Sequence, residues 1–216
     1  MKQAHSCPFC IEIASGQLPA QYEQSLGVRN RVLRDDGRYI AIPTISPLCE
    51  GHILICPKDH VSSTVIDTKE NSQEFLSFIR RCELDIAARY GEPLFIEHGI
   101  GRGRQGGCGI SHAHLHLVPR GGVSVEGLVE NIKARIGGSS AFYGEHAMLL
   151  ASIAESDTYL MVGTTRAGFW IWTQEEIPSQ LARKCFADLA YLQEWDWRLE
   201  SDWNLMRNTY DQMGVA

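Results

Sequence analysis

The feature that most constrains this chain is a set of three histidines at alternate positions, His112, His114 and His116. Side chains return to the same face of a β-strand every second residue. A strand over 111–118 would therefore place the three imidazoles in one row and direct the apolar residues between them into a core. An imidazole near neutral pH can bind a metal, attack an electrophile or donate a hydrogen bond to an anion. A row of three has no evident packing advantage, which favours these chemical roles over a structural one.

The composition limits the class of protein. With 216 residues, of which 44% are hydrophobic and 21% charged, the chain can bury a full core as one large domain or as a domain with an appendage. The net charge of −6 argues against nonspecific binding to nucleic acid or to a membrane surface. Any chemistry on phosphate must therefore depend on local basic groups.

The apolar segments and the cysteines indicate the compartment. No apolar run has the length of a membrane span, and the first residues lead into no hydrophobic signal segment. The seven cysteines are odd in number and lack the spacing of a disulfide framework. We therefore expect a soluble, cytoplasmic protein.

Two further motifs lie in the first sixty residues. Cys7 and Cys10 form a C-x-x-C pair, which is a redox dithiol, one half of a zinc site or a chance arrangement; zinc would need two more ligands. The short apolar run 53–56 predicts a central strand. His52 stands at the entrance of that strand and His60 just past its exit.

A glycine-rich loop, residues 99–109, directly precedes the histidine trio. Glycines let backbone N–H groups approach an anion closely, and Arg102 and Arg104 add matching charge, so the loop predicts phosphate binding. It lacks the spacing of a nucleoside-triphosphatase P-loop.

The remaining elements predicted from periodicity and turn residues belong to the core. They are a hairpin turning at 35–38, an amphipathic helix over 70–90, a strand at 94–98, a helix over 123–136, a hairpin of 159–162 and 168–172, a helix over 178–193 and a helical aromatic segment from residue 194 onward.

Taken together, these motifs resemble the histidine triad superfamily of nucleotide hydrolases and transferases, which includes galactose-1-phosphate uridylyltransferase. The resemblance covers residues 5–122 and rests on the C-x-x-C pair, Gly51-His52, Pro57-Lys58-Asp59-His60, the glycine-rich loop and His112-Ala113-His114-Leu115-His116-Leu117-Val118. It implies an α+β fold with an antiparallel sheet of about five strands flanked by helices. This catalytic domain would span residues 1–138, and residues 139–216 would form a C-terminal α/β extension.

By position, the resemblance implies that His114 is the nucleophile in a two-step displacement at the α-phosphorus of a nucleotide, with a nucleotidyl-histidine intermediate. It implies that His116 contacts the phosphate oxygens or the departing group. The oxygen cradle would be completed by His52 and by the backbone of Gly106, Gly107, Cys108 and Gly109.

The zinc-containing branches of the family imply a metal site. The matching positions are Cys7, Cys10, His60 and His112. A Cys₂His₂ set is closed, so this zinc would be structural and would hold the N-terminal segment against the catalytic strand. The alternative is an unmetallated His112 that positions the nucleophile through a hydrogen bond.

The sequence departs from the family where substrate choice is decided. Thr44 stands where small members present an acidic group to the ribose, and Glu97 or His98 replaces a common asparagine. His98 is a further phosphate or base contact, or a strand-end residue with a structural partner. The glycines at 106–109 resemble the transferase branch, but His116 replaces the glutamine of that branch. Because an imidazole can exchange a proton with water and an amide cannot, His116 favours a hydrolase.

The C-terminal extension carries neither a triad nor a C-x-x-C pair. Its order of hairpin and helix echoes residues 38–90, so it is a candidate for a degenerate second half, placed where smaller relatives have a partner subunit. A monomer of this pseudo-dimeric kind and a homodimer are both open. Four tryptophans here are more typical of core and interface than of base stacking: Trp170, Trp172, Trp195 and Trp197.

The leading hypothesis is a nucleotide hydrolase acting on nucleoside 5′-phosphate derivatives, namely dinucleoside polyphosphates, nucleotidyl conjugates or phosphoramidates. The alternatives are a nucleotidyltransferase or phosphorylase of the same superfamily and a non-catalytic, zinc-stabilised module that binds nucleotides.

Overall fold

The computed structural model describes residues 7–102, 110–136, 142–199 and 201–214. Within these residues the chain forms an antiparallel sheet of eight strands, with helices packed on both faces. This confirms the predicted fold class. No helix in the described part of the chain combines the length and the apolar character needed to cross a membrane.

The strands are β1 (Arg34–Asp35), β2 (Tyr39–Pro43), β3 (Ile53–Pro57), β4 (Pro93–Gly99), β5 (Leu115–Pro119), β6 (Phe142–Gly144), β7 (Tyr159–Thr164) and β8 (Gly168–Thr173). The helices are α1 (Pro8–Ser15), α2 (Ala20–Leu26), α3 (Thr64–Tyr90), α4 (Val125–Ile136), α5 (His146–Ser152), α6 (Leu181–Leu189) and α7 (Trp203–Met213).

The strand order is β1-β2-β3-β5-β4-β7-β8-β6. The first five places match the five-stranded sheet expected from the sequence. The C-terminal strands continue the same sheet, because β7 pairs along β4 from Phe95 opposite Gly163 to Gly99 opposite Tyr159. The predicted domain boundary after residue 138 falls at 137–141, outside the described residues, and stays a prediction.

The sheet separates two cores. One face packs against α3, whose residues Phe75, Ile79 and Ile86 are almost fully buried, as the helical periodicity predicts. The other face packs against α4 and α6.

Helix α3 is kinked at Asn71 (φ −126°, ψ 25°), so the helix expected over 70–90 corresponds to the part after the kink. An additional helical segment before the kink begins at Thr64, whose amide donates a hydrogen bond to the side chain of Glu97 on β4 at 2.8 Å.

Two local expectations need correction. The regular strand of the histidine segment begins at Leu115 rather than at 111, although Ala113 and Leu115 are buried on one side as the alternation predicts. The aromatic segment 194–199 is not helical, and the last helix begins at Trp203. Side chains from α6 and the turn before it bind the backbone of that segment, since Arg183 donates to the Trp195 carbonyl and the Trp197 amide donates to Gln180.

Candidate active site and metal cluster

Of the three histidines, His116 lies on β5 between β3 and β4, and His112 and His114 directly precede that strand. His116 is paired with Leu54 on β3 and with Ile96 on β4. The rings of His114 and His116 have centroids 5.1 Å apart, on the face of the sheet opposite Leu115. The structure therefore brings these two predicted residues together.

A backbone carbonyl fixes the tautomer of His114. Its Nδ1 lies 2.6 Å from the carbonyl oxygen of His112. A carbonyl can only accept, so Nδ1 carries the proton and the neutral ring has its lone pair on Nε2. The chain thus presets the electronic form that a nucleophilic imidazole needs.

A backbone amide fixes the tautomer of His52 and, through His52, the tautomer of His116. The Leu48 N–H donates to Nδ1 of His52 at 3.1 Å, so the proton of His52 is on Nε2. That nitrogen lies 2.9 Å from Nδ1 of His116, which must accept. Burial is the main reason that the pKa of both rings is held well below the ordinary value. Neutral His116 therefore carries its proton on Nε2 and is a hydrogen-bond donor there.

The resemblance implied that His52 completes the oxygen cradle; in the structure its ring contacts His116 and stands outside the cavity lining. His52 has no exposed surface and does not line the cavity beside the triad. Both of its ring nitrogens are engaged, by Leu48 and His116.

The four residues expected to bind metal converge. Single ligand atoms of Cys7, Cys10, His60 and His112 all lie within 4.8 Å of one another. Nδ1 of His112 is 3.5 Å from the Cys7 sulfur and 3.4 Å from the Cys10 sulfur, and Nδ1 of His60 is 3.2 Å from the Cys10 sulfur. Nitrogen and sulfur ligands of a tetrahedral zinc ion lie about 3.5 Å apart.

The chemistry of this cluster also fits a cation. The Nε2–H of His112 donates to the Pro57 carbonyl at 2.8 Å, which leaves the lone pair on Nδ1, the nitrogen that faces the thiols. Burial, and then the hydrogen bond and charge of Cys7, raise the pKa of Cys10 to about 11 when no cation is present. The Cys10 thiol therefore ionises near neutral pH only beside a positive charge. The donor set is therefore suited to zinc.

A cavity opens in front of His114 and His116. Its walls are mainly apolar and aromatic, with a small number of polar and charged groups. They comprise Pro8, Phe9, Glu12, Pro19, Tyr22, Arg31, Thr44, Ile45, Leu54, Ile110, His114, His116, Arg183 and Trp197. Thr44 is one of the residues that line the cavity. A few polar groups set in an apolar cleft are typical of a small-molecule site.

Four residues that line this cavity, three charged and one aromatic, were not predicted from the sequence. Glu12 and Arg31 form a buried bidentate ion pair, with both N···O distances 2.7 Å. Arg183 and Trp197 enter from the C-terminal extension. None of the four stands in a recognisable motif, and Trp197 lines the cavity although core and interface positions were expected for the tryptophans.

Two other predicted site residues, Arg102 and His98, do not line the cavity. Arg102 is exposed and forms an ion pair with Glu155 at 2.7 Å. His98 does not line the cavity, and within the described residues its buried Nε2 has no hydrogen-bond partner. Burial lowers the pKa of His98 to about 4. The four residues of the expected backbone cradle, Gly106, Gly107, Cys108 and Gly109, fall outside the described residues.

Comparison with known proteins places these features in a family context. The HIT domain family model matches residues 27–123. The chain is 25% identical over 122 residues to the protein named hit of Bacillus subtilis, covering 56% of this chain and 76% of that protein. It is 32% identical over 114 residues to an uncharacterised HIT-like protein of Mycobacterium tuberculosis, covering 52% of this chain and 70% of that protein.

Two further similarities are more limited. A bis(5′-adenosyl)-triphosphatase of Dictyostelium discoideum is 28% identical over 80 residues, which is 37% of this chain and 53% of that protein. Among solved structures, a zinc-bound histidine triad family protein of Mycobacterium smegmatis matches with a TM-score of 0.40 and 19% identity, covering 54% of this chain and 76% of that one.

Proposed function

This chain belongs to the histidine triad (HIT) family, and from that premise we propose that it hydrolyses nucleoside 5′-phosphate derivatives at the α-phosphorus. Dinucleoside polyphosphates are the preferred substrates in this proposal, ahead of nucleotidyl conjugates and phosphoramidates. The observation that carries it is the pair of opposite tautomers beside one cavity. His114 has its lone pair on Nε2, and His116 has its proton on Nε2. The name of the Dictyostelium relative supports the choice of substrate.

In the first step, the lone pair of His114 Nε2 attacks the α-phosphorus. A P–N bond forms as the P–O bond to the leaving group breaks, and the leaving oxygen keeps the electron pair. The Nε2–H of His116 stabilises the charge that develops on the phosphoryl or leaving oxygen. His52 keeps His116 in the donating tautomer during this step.

In the second step, water attacks the nucleotidyl-histidine. A P–O bond forms, the P–N bond breaks, and its electron pair returns to Nε2 of His114. One proton of the attacking water is released to solvent, so the imidazole ends neutral and ready for another cycle. Dividing the reaction in this way replaces one difficult displacement with two easier ones.

The metal cluster supports the site from behind. Cys7, Cys10, His60 and His112 would hold a zinc ion as a closed set, and that ion would supply structural stabilisation without an open coordination position. The cavity and the cluster meet at His112, whose carbonyl orients the His114 ring while its own ring belongs to the cluster. The residues that touch substrate remain those of the cavity.

The experiment is to incubate the full chain with diadenosine triphosphate labelled at an α-phosphate and to measure label on protein and released AMP. We expect acid-sensitive label on the wild-type chain and turnover to AMP. His114→Asn should abolish both while keeping its thermal unfolding temperature. His146→Leu, a change at a buried histidine outside the cavity, is the control and should retain both.

Other outcomes separate the alternatives. Turnover in His114→Asn would overturn the nucleophile assignment. Binding without label or turnover in the wild-type chain would favour the non-catalytic nucleotide-binding module. Label that passes to an added phosphate acceptor and not to water would identify a nucleotidyltransferase or phosphorylase.

A further inference from the structure

The last helix of the chain, α7, reaches the turn that precedes His52. Thr209 on this helix is fully buried, and its hydroxyl oxygen accepts a hydrogen bond from the Gly51 amide at 2.9 Å. The same hydroxyl donates to the Leu205 carbonyl at 2.8 Å. Because an amide can only donate and a carbonyl can only accept, the direction of both hydrogen bonds is fixed. A side chain from the C-terminal extension thus holds the backbone directly beside His52.

Close packing confines the same turn on its other side. Gly51 has a φ of +83°, and a Cβ at this position would lie 2.5 Å from the Tyr90 ring and 2.8 Å from the side chain of Pro119. The His52 amide closes the turn by donating to the Cys49 carbonyl at 3.3 Å. The turn therefore has no room to move toward Tyr90 and Pro119, and the hydroxyl on α7 holds it from the opposite direction.

This turn decides where the protons of the two linked histidines lie. The Leu48 amide donates to Nδ1 of His52 from the other end of the turn, so this contact depends on the conformation of the backbone between them. Nε2 of His52 in turn donates to Nδ1 of His116. Without the Leu48 contact, a neutral His52 is free to carry its proton on either nitrogen, and His116 is no longer restricted to the form that donates from Nε2.

We propose, on the basis of the proposed function, that Thr209 is a positioning residue for catalysis, which holds Gly51 and thereby keeps His52 and His116 in their required tautomers. Thr209 does not line the cavity, so it acts through the turn and not on substrate. What matters is the ability of its hydroxyl oxygen to accept a hydrogen bond. The extension thus supplies a support for the active site from outside residues 27–123, the part of the chain that matches the HIT domain.

The first readout is the imidazole ¹⁵N spectrum of the full chain at neutral pH without substrate. Thr209→Val has nearly the same shape but no acceptor, and we expect the nitrogen shifts of His52 and His116 to move toward those of a mixture of the two neutral tautomers. Thr209→Ser keeps the acceptor and should give the wild-type shifts. Leu150→Ala removes buried apolar atoms from α5, which packs against α3, β6 and β8. It should lower the unfolding temperature without moving these shifts.

The second readout is turnover of diadenosine triphosphate. In Thr209→Val we expect kcat to fall about tenfold or more, because a small misplacement of a catalytic group by a remote change has an effect of this size or larger. KM should stay within about twofold, since the cavity lining is unchanged. Thr209→Ser and Leu150→Ala should both keep the wild-type kcat.

Unchanged histidine shifts in Thr209→Val, wild-type shifts not restored in Thr209→Ser, or an equal change in Leu150→Ala would overturn the inference. An unchanged kcat in a variant whose shifts have moved would also overturn it. If Thr209→Val does not fold, Thr209→Ala removes the same acceptor.

Hydrogen exchange in the wild-type chain tests the contact without any substitution. The Gly51 amide should exchange as slowly as the amides of β3, which is paired on both sides, and rapid exchange would overturn the inference. Because the shifts are read without substrate, a dependence of the tautomers on Thr209 in a chain without turnover would retain the positioning of the histidines and discard the hydrolase.

Discussion

Nε2 of His52 lies 2.9 Å from Nδ1 of His116, and this contact fixes which nitrogen of His116 faces the cavity as a donor. The assignment begins at the Leu48 amide, which can only donate, and passes through the two rings in turn. A separate backbone contact, from His114 Nδ1 to the His112 carbonyl, sets the neighbouring ring in the opposite form. Backbone groups therefore prepare one nucleophile and one donor side by side.

The first prediction concerns these tautomers. In ¹⁵N-labelled protein at neutral pH, the imidazole nitrogen shifts should show a protonated Nδ1 in His114 and a protonated Nε2 in both His52 and His116. The low pKa of the two buried rings keeps them neutral under these conditions. Finding the proton of His116 on Nδ1 would contradict the account of the site.

The parts of this site that can be predicted from the sequence alone depend on patterns among residues that are close together along the chain. Alternation places His114 and His116 on one face, and the apolar run 53–56 with its flanking histidines fixes β3. The prediction that Cys7 and Cys10 share a metal site with His60 and His112 came only from the family resemblance. No local sequence pattern links residues about a hundred positions apart. The structure brings these four together as expected.

The parts that the sequence does not predict depend on long-range packing. Arg183 and Trp197 enter the cavity because β7 pairs with β4 and brings the extension across the sheet. Nothing in the sequence distinguishes Glu12 and Arg31 from exposed charged residues. The structure shows that they are buried as an ion pair. Side-chain hydrogen bonds to Gln180 likewise replace the expected helix around residue 197 with a turn. No propensity or spacing encodes such contacts.

The second prediction concerns the metal. Metal analysis of the purified chain should find one zinc ion, and Cys7→Ser or His60→Ala should bind it much more weakly and lose it on dialysis against a chelator, because each change removes one of the four ligands. Unfolding should occur at a lower temperature in both variants, and acid should release the metal as the ligands become protonated. Cys49→Ser changes a half-buried cysteine outside the cluster and should keep full zinc content. Stoichiometric zinc in Cys7→Ser would exclude the proposed ligand set.

The third prediction concerns the buried ion pair in the cavity wall. Glu12→Gln leaves Arg31 buried without its counter-charge and should reduce the free energy of unfolding by about 3–5 kcal/mol. Glu130→Gln breaks an exposed pair with Lys133 and should cost less than about 1 kcal/mol. Urea unfolding of both variants measures the difference. Equal effects would show that burial does not govern the contribution of the Glu12 pair.

The fourth prediction concerns pH. His146 packs against Phe95 and Phe169, and burial lowers its pKa from 6.5 to about 4. Below pH 6.5 the unfolded chain therefore binds a proton that the folded chain does not, so stability falls as the pH falls from 6.5 to about 4. The full effect of this group is about 3 kcal/mol.

His146→Leu removes this contribution, and urea unfolding at pH 7 and at pH 5 isolates it from the other buried histidines. The variant should lose less stability than the wild-type chain between the two values. A loss of the same size in both proteins would rule out His146 as a source of the pH dependence.

If His114 attacks phosphorus through Nε2, a covalent adduct forms on that nitrogen, and locating this adduct tests the proposed nucleophile. The wild-type chain is mixed with diadenosine triphosphate, quenched in alkali during the first turnover, digested and mapped by mass spectrometry and phosphorus NMR. We expect one adenylyl group per chain, on Nε2 of His114. An adduct on His116 or on Nδ1, or turnover with no adduct, would contradict this assignment.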